Sequence, residues 1–187
     1  MNKLHNLFFL AILTGALLSC EPDGNLLIDN SGEEACQVVV DAVAYNMPAG
    51  SNIRTTLEPG IHTYTIKNAE GKVRDEGSFT LTEAGMINAA GEKYLIWAEW
   101  YGDMSMKETT LKQEWIKVGD IEIFGEFERI SGEDTYLEKR WDQDIDEDLP
   151  ESVMAWELTD KRWVIKRKIF RLQEALIHYQ SVSAPSS

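Results

Sequence analysis

An acidic run at residues 142–148 holds the densest group of potential metal ligands in the chain. Aspartate occupies its alternate positions, namely Asp142, Asp144, Asp146 and Asp148. A calcium loop with this spacing also needs glycine at its sixth position and a bidentate glutamate at its twelfth, where this chain has Glu147 and Val153. The sequence therefore favours a solvated acidic turn, with the four aspartates as a weak calcium candidate and no cofactor expected.

Nucleophilic or zinc-dependent catalysis needs histidine and cysteine in defined arrangements, and the chain is poor in both. After residue 20 it has His62, His178 and a single cysteine, Cys36. No H-E-x-x-H, paired C-x-x-C, G-x-S-x-G or glycine-rich phosphate loop occurs. A catalytic carboxylate pair stays open, because with 32 acidic residues some pair fits any spacing. We expect a protein that is not an enzyme, with Cys36 packed as a small buried hydrophobic residue.

All six tryptophans lie in the second half of the chain: Trp97, Trp100, Trp115, Trp141, Trp156 and Trp163. A buried tryptophan fills a core, whereas an exposed one can stack on the apolar face of a sugar ring. We expect most of them in the core and one or two on an exposed face. In an extended strand Trp97 and Trp100 point to opposite faces, so these two do not form a single platform.

A basic cluster stands out near the C-terminus of this acidic chain: Lys161, Arg162, Lys166, Arg167, Lys168 and Arg171. One hypothesis is a docking patch for an anionic partner or a lipid headgroup. The alternation with Trp163, Ile165 and Ile169 favours the other hypothesis, which is internal pairing with the acidic segment 142–160 or a solvated strand face.

The first twenty residues have the organisation of a bacterial secretion signal. Lys3 precedes an apolar run at residues 7–18, and twelve helical residues span about 18 Å, short of the ~30 Å hydrocarbon core. The ending Leu-Leu-Ser-Cys at residues 17–20 resembles the bacterial lipobox, with an aliphatic residue three positions before the cysteine and a small residue directly before it. The resemblance implies a signal peptide at residues 1–19 and lipidation of Cys20.

Lipidation would anchor a mature chain of 187 − 19 = 168 residues to a membrane and leave Cys36 without a partner cysteine. Residues 20–25 are acidic and contain glycine and proline, which predicts a short tether. Glu21 and Asp23 resemble the loose surface-export signal of Bacteroidota lipoproteins, and a periplasm-facing attachment is the alternative. We therefore expect a protein of the cell envelope, in the outer membrane and in either leaflet.

The bulk composition limits the partners and the number of domains. A formal net charge of −14 repels nucleic acid and anionic lipid, so nucleic-acid binding is not expected. The mature length suits one domain or two small ones. We assign residues 26–103 to a β-sandwich and residues 104–187 to a β-rich extension, which belongs to the same domain or to a second one.

Short β-rich segments separated by turn residues are typical of a sandwich or barrel. The β-branched run at residues 35–44 predicts one strand, and Pro59-Gly60 predicts a turn that joins residues 53–57 and 61–66 in a hairpin. The pattern at residues 58–63 resembles PEGA-like and immunoglobulin-like sandwiches. Together with the lipobox, it is similar to small β-sandwich lipoproteins of Bacteroidota, which implies a fold and a location but no activity.

Further strands are predicted at residues 73–82, 93–101, 135–141, 153–158 and 162–170. Residues 115–118 and 121–128 are predicted to form a hairpin, in which the glutamates of the second segment make a solvent-exposed face. Apolar residues at helical spacing predict one C-terminal helix at residues 171–180. The expected fold is all-β, an immunoglobulin-like or PEGA-like sandwich extended by further antiparallel strands, with one C-terminal helix.

Three functional hypotheses follow from these patterns. The first is a non-catalytic envelope lipoprotein that acts as a binding or assembly module, with an envelope protein or a glycan as partner. The second is a carbohydrate-binding lipoprotein, which exposed aromatic residues on one face would favour. The third is an envelope hydrolase or inhibitor, which a cleft with converging carboxylates would favour.

Overall fold

A computed structural model describes residues 24–103, 105, 112–158 and 162–183. The strands of the first half are β1 (Leu26–Asn30), β2 (Cys36–Val40), β3 (Val43–Met47), β4 (Ser51–Thr55), β5 (Gly60–Asn68), β6 (Val73–Leu81), β7 (Gly85–Asn88) and β8 (Tyr94–Gly102). The elements of the second half are β9 (Gln113–Val118), β10 (Ile121–Ile130), β11 (Tyr136–Glu138), a 3-10 helix (Ala155–Leu158), β12 (Trp163–Arg171) and the helix α1 (Leu172–Ser183). The predicted all-β class with a single C-terminal helix is confirmed.

The strands form three four-stranded sheets. The outer sheet has the order β3-β2-β5-β6, the central sheet has the order β11-β7-β1-β4, and the long sheet has the order β12-β8-β10-β9. Strands β1 and β7 run parallel, and the other strand pairs run antiparallel. Among the residues described, no helix is long and apolar enough to cross a membrane.

The sheets stack in layers, with the central sheet buried on both faces. Every residue of β1 and β7 is buried. One apolar cluster, which includes Ile28 and Val38, fills the space between the outer and central sheets. A second, which includes Leu27 and Ile96, lies between the central and long sheets, and a third lies between the long sheet and α1. The order of layers is therefore outer sheet, central sheet, long sheet and α1.

The long sheet extends beyond the central sheet at one end. Strands β8, β10 and β12 have nine or ten residues, whereas β1 has five and β7 has four. Four additional residues add about 13 Å at 3.3 Å per residue. The cluster between the two sheets includes Tyr94, Ile130 and Ile169, which all come from the same end of the long sheet. The other end, which we call the overhang, has a face that the central sheet does not cover.

The hairpin predicted between residues 53–57 and 61–66 is wrong. Strand β4 pairs with β1 in the central sheet, and β5 pairs with β2 and β6 in the outer sheet. The side chain of Asn25 donates to the carbonyl of Leu57 and accepts from its N–H, both at 2.9 Å, which holds this segment beside the start of β1. The Pro59-Gly60 turn thus carries the chain from one sheet to another.

Two further predictions about strands are wrong. Residues 35–44 do not form one strand, because a turn at Asp41 separates β2 from β3. Asp41 adopts a left-handed φ of 52°, and its carboxylate accepts the N–H of Thr63 at 3.0 Å, which fixes the turn against β5. Residues 153–158 include a 3-10 helix in place of a strand, and the short parallel strand β7 was not predicted.

Other predicted elements are confirmed. Strands β6, β8 and β12 match the predicted segments, β9 and β10 form the predicted hairpin around Gly119-Asp120, and α1 covers the predicted helix. Of residues 135–141, only Tyr136–Glu138 form a strand. Strand pairs connect the two sides of the proposed boundary at residue 103. Strand β8, before the boundary, pairs with β10 and β12, and β7, also before it, pairs with β11.

Candidate functional site

Aromatic side chains lie in a row across all four strands of the long sheet at the overhang. All of them lie on the face that turns away from α1. On β8, β10 and β12 each aromatic residue is an even number of positions from an isoleucine of the same strand that packs towards the central sheet, namely Ile96, Ile130 or Ile169. On β9 the parity is set by Ile116, which packs towards α1. In sheet order the residues are Trp163 on β12, Trp100 on β8, Phe124 on β10 and Trp115 on β9. We call these four residues the aromatic row.

The aromatic row consists of two ring pairs. The ring centroids of Trp100 and Trp163 are 4.8 Å apart, and those of Trp115 and Phe124 are 5.1 Å apart. Trp115 is 61% exposed and Phe124 is 42% exposed. Exposed aromatic groups in contact with one another are typical of binding surfaces.

A cleft of about 310 Å³ separates the two ring pairs. Strands β8 and β10 pair only from Tyr94–Trp97 to Phe127–Ile130, and the cleft opens where this pairing stops. The ring of Phe127 lies over Gly125, where a Cβ atom would come within 2.6 Å of it, so a larger residue would require this ring to move. The volume is at the lower end of the range for small-molecule sites.

Glu126 is a nearly buried carboxylate in this cleft, with 5% of its surface exposed. Its Oε2 accepts the indole N–H of Trp100 at 3.0 Å, and its Oε1 accepts the amide of Gln113 at 3.1 Å. These hydrogen bonds connect β8, β9 and β10 and fix the plane of the Trp100 ring. The sequence placed Glu126 on a solvent-exposed strand face, and that prediction is wrong, because the residue is buried.

The other tryptophans divide between core and surface. Trp97 and Trp141 are buried, and Trp97 packs edge-on against Phe127 on the α1 side of the long sheet. Trp97 and Trp100 therefore lie on opposite faces, as predicted. Trp156, in the 3-10 helix, is 80% exposed and does not belong to the aromatic row.

Three of the four aspartates of the calcium candidate contact protein groups. Asp144 is buried and accepts hydrogen bonds from Arg54, from Lys139 at 3.0 Å and from the indole of Trp141 at 2.5 Å. Asp146 binds Arg54 at 2.6 Å, Asp142 accepts the backbone N–H of Arg167 at 2.7 Å, and Asp148 is exposed. Within the described ranges, no group of three or more His, Cys, Asp or Glu side chains could hold a metal ion.

The two histidines and Cys36 are engaged in structural contacts. His62 Nδ1 lies 2.8 Å from Asp41, and its Nε2 lies 2.8 Å from the carbonyl of Glu58. The hydrogen bond to Asp41, and then that to Glu58, raise the pKa of His62. His178 lies 3.1 Å from Glu99. Cys36 is buried as predicted, and burial raises the pKa of its thiol, which disfavours the reactive thiolate.

Two members of the basic cluster contact the acidic segment 142–160 through their side chains, as predicted. Lys166 lies 2.6 Å from Glu157, and Lys168 donates to the carbonyls of Ile145 and Glu147. Arg171 instead pairs with Asp29 of the central sheet. Lys161 lies outside the described residues, and so does the lipidation site Cys20.

A second groove of about 480 Å³ lies at one end of the outer sheet. Apolar residues, among them Met47 and Pro48, line it together with polar side chains. Gln37 donates to Asn46 at 2.9 Å, so two of these polar groups satisfy each other.

Comparisons with protein-family models, curated proteins and solved structures found no match to this chain. The function must therefore be inferred from its own residues.

Proposed function

We propose that the protein is a lipid-anchored, non-catalytic binding module of the cell envelope that binds saccharide on its aromatic row. The observation that carries this proposal is the pair of exposed, contacting rings, Trp115 and Phe124, beside a cleft that contains a fixed carboxylate. A sugar ring has an apolar C–H face and a rim of hydroxyl groups. The aromatic row supplies rings for the first, and Glu126 and Gln113 supply hydrogen-bonding groups for the second.

The composition of the face favours saccharide over other partners. Strand β10 places Glu122 and Glu128 on the same face as Glu126 and Phe124. Carboxylates oppose insertion into a bilayer, and glutamate is depleted in the cores of protein–protein interfaces. Aromatic rings interspersed with carboxylates and amides suit a polyhydroxylated ligand better than a lipid or an apolar protein surface.

The carboxylates near the cleft support binding over hydrolysis. Glycoside hydrolysis needs two carboxyl groups that flank the same bond. Strand alternation points Glu126 to the face of the aromatic row and Glu99 to the α1 face, where His178 binds it at 3.1 Å. Both carboxylates line the cleft, but they lie on opposite faces of the sheet, and Glu99 already pairs with His178.

The location follows from the lipobox resemblance at Cys20. In cells grown with labelled palmitate, we expect label in the wild-type protein and in Cys36→Ala, and none in Cys20→Ala. Cys36→Ala is the matched control because it removes the chain's other cysteine. Label retained by Cys20→Ala would contradict the anchor while leaving the binding proposal open to its own test.

The binding proposal is tested with neutral polysaccharides of different backbones: hydroxyethyl cellulose, dextran, galactomannan and arabinoxylan. We expect the soluble form, which begins after Cys20, to bind at least one of them in titration calorimetry. Trp115→Ala should weaken that binding by about tenfold or more, since loss of one stacked ring removes 1–3 kcal/mol.

Trp156→Ala is the matched control, because Trp156 is equally aromatic and more exposed but lies outside the aromatic row. It should bind like wild type. Failure of wild type to bind any of the four polysaccharides would overturn the proposal. Equal loss in both tryptophan variants would show that the aromatic row is not the binding surface.

A further inference from the structure

The overhang of the long sheet lies at the end of the fold where β1 begins. At the other end, Asp29, which is next to last in β1, binds Arg171, the last residue of β12. Nearer the start of β1, Arg54 lies opposite Leu27 and binds Asp144. The residue directly before Asp144 forms a β-bridge with β12 three positions before Arg171. Moving back along β12 from Arg171 therefore leads towards the start of β1, and the overhang extends beyond it.

The lipidation site is close to this same end. Gly24 comes four positions after Cys20, so the lipid-bearing residue lies within about 14 Å of it, the length of four extended residues. Asn30, at the other end of β1, lies six residues from Gly24, which is about 20 Å along an extended chain. A lipid on Cys20 therefore holds the end of the fold with the overhang at the membrane.

We infer that the aromatic row takes its saccharide from the membrane that anchors the protein, as the headgroup of a glycosylated lipid. The inference rests on both parts of the proposed function, the lipid on Cys20 and saccharide binding by the row. Trp115 and Phe124, the exposed ring pair, lie close to the turn at residues 119–120, which forms the tip of the overhang. The short tether keeps this pair near the membrane surface, where lipids carry their sugars.

Confinement to the membrane suits a site of this size. Two exposed rings give weak binding in free solution, because each stacked ring strengthens binding only about tenfold to a hundredfold. A ligand held beside the site by a short tether has a high effective concentration without any additional contact. The carboxylates of the face, among them the exposed Glu122, oppose insertion into the bilayer, so the rings contact sugars at its surface.

Energy transfer in vesicles that carry the lipidated protein measures where the overhang lies. A fluorescent donor is attached at Asp120→Cys, in the turn at the tip of the overhang, or at Glu33→Cys, in the exposed loop after β1. Both proteins also carry Cys36→Ala, so that only the new thiol reacts. We expect several-fold more transfer to an acceptor on plain lipid from position 120 than from position 33.

The saccharide is tested with the donor at position 120 and an acceptor lipid that carries a sugar chain. The probes are cellotetraose, isomaltotetraose, mannotetraose and xylotetraose, which match the backbones of the four polysaccharides, each joined to dioleoylphosphatidylethanolamine. We expect at least one probe to give more transfer than the plain acceptor lipid. This excess should be lost in Trp115→Ala and kept in Trp156→Ala.

A longer tether provides a second test. A flexible Gly/Ser insertion between Asp23 and Gly24 should lower the excess transfer several-fold, because the effective concentration falls as a linker lengthens. The soluble form with the same insertion should bind polysaccharide as tightly as the soluble form without it. An excess that is unchanged by the insertion would refute the dependence on the membrane.

The outcomes separate this inference from the proposed function. If positions 33 and 120 give equal transfer to plain lipid, or if no probe exceeds plain lipid although the soluble form binds polysaccharide, the membrane source is refuted and saccharide binding stands. If Trp115→Ala also lowers transfer to plain lipid, the row contacts the bilayer itself and the inference is refuted. If no probe gives excess transfer and the soluble form binds none of the four polysaccharides, both proposals are refuted.

Discussion

The two faces of the central sheet are held to their neighbours in different ways. Towards the outer sheet, an apolar cluster that includes Leu26, Ile28 and Phe79 is accompanied by hydrogen bonds of uncharged side chains, such as that between Tyr45 and Thr55 at 2.9 Å. Towards the long sheet, a second apolar cluster is accompanied by two networks of charged groups, one centred on Asp29 and the other on Asp144. Apolar contacts are non-directional, whereas charged hydrogen bonds have defined geometry, so the charged networks fix how the long sheet sits on the rest of the fold.

The network around Asp29 is fully buried at its centre. Asp29 has no exposed surface, and its carboxylate binds Nη2 of Arg171 at 2.5 Å and the hydroxyl of Tyr94 at 2.6 Å. Burial, and then the charge of Asp29, raise the pKa of Tyr94, so this hydroxyl stays protonated and donates. The contact joins the central sheet to β8 and to the end of β12.

The largest expected effect comes from breaking this network. Asp29→Ala leaves the guanidinium of Arg171 and the hydroxyl of Tyr94 without their acceptor, and we expect a loss of about 3–5 kcal/mol in the free energy of unfolding. Urea denaturation measures it. The double variant Asp29→Ala/Arg171→Met should recover much of the loss, because it also removes the guanidinium that the single variant leaves without its buried acceptor. If Asp29→Ala were as stable as wild type, the charged network would not distinguish this face of the central sheet from the other.

The apolar face is tested at Ile28, which is fully buried against the outer sheet. Ile28→Ala should destabilise by about 2–5 kcal/mol, and the milder Ile28→Val by about 0.5–1.5 kcal/mol. Since no titrating group is removed, both losses should be the same at acidic and at neutral pH. A strong pH dependence of either loss would show that this interface is not held by apolar packing alone.

The second network makes the other face sensitive to acid. Burial raises the pKa of Asp144, but hydrogen bonds from Arg54, Trp141 and Lys139 together outweigh it, so the pKa lies below its usual value. A lowered carboxylate pKa stabilises the fold above the unfolded value of about 3.9, and this contribution is lost as pH falls through the folded pKa.

Asp144→Asn should therefore lose about 1–3 kcal/mol near neutral pH and little in strong acid. Urea denaturation across the acidic range measures the difference. Asp148→Asn is the control, because Asp148 is exposed and belongs to the same acidic run. Parallel pH profiles for wild type and Asp144→Asn would contradict the assigned role.

The smallest effect is expected at the outer sheet, where His62 ties the β2–β3 turn to Glu58. Because its folded pKa is raised, His62 stabilises the fold below the unfolded value of about 6.5, and that contribution is lost as pH rises through the folded pKa. Wild type should lose less than about 1 kcal/mol over this rise. His62→Gln should show no such loss. If the free energy of unfolding of both proteins changed identically with pH, the contacts of His62 would not contribute to stability.

The sequence predicted the elements that are determined by residues close together in the chain. The β9–β10 hairpin follows from Gly119-Asp120, and α1 follows from the spacing of Leu172, Ala175 and Leu176. The partner of β4 could not be predicted in this way, because β1 lies more than twenty residues before it in the chain. Strand β7 has four residues and a parallel partner, so neither a turn signal nor a hairpin indicates it.

The candidate site was only partly predictable for a related reason. The sequence indicated exposed tryptophans and separated Trp97 from Trp100 by strand parity. The aromatic row also requires the sheet order β12-β8-β10-β9, which brings together residues from position 100 to position 163. Glu126 was misplaced because alternation predicts a face, whereas burial on that face depends on contacts with other strands, such as that with Trp100.

The overhang of the long sheet separates ligand binding from stabilisation of the core, two roles that usually compete for the same residues in a small protein. The core between the central and long sheets ends before the aromatic row begins, so Trp115 and Phe124 can be replaced with little effect on how these two sheets stack. Single substitutions at these positions could therefore change the ligand preference during evolution while the rest of the fold stays the same.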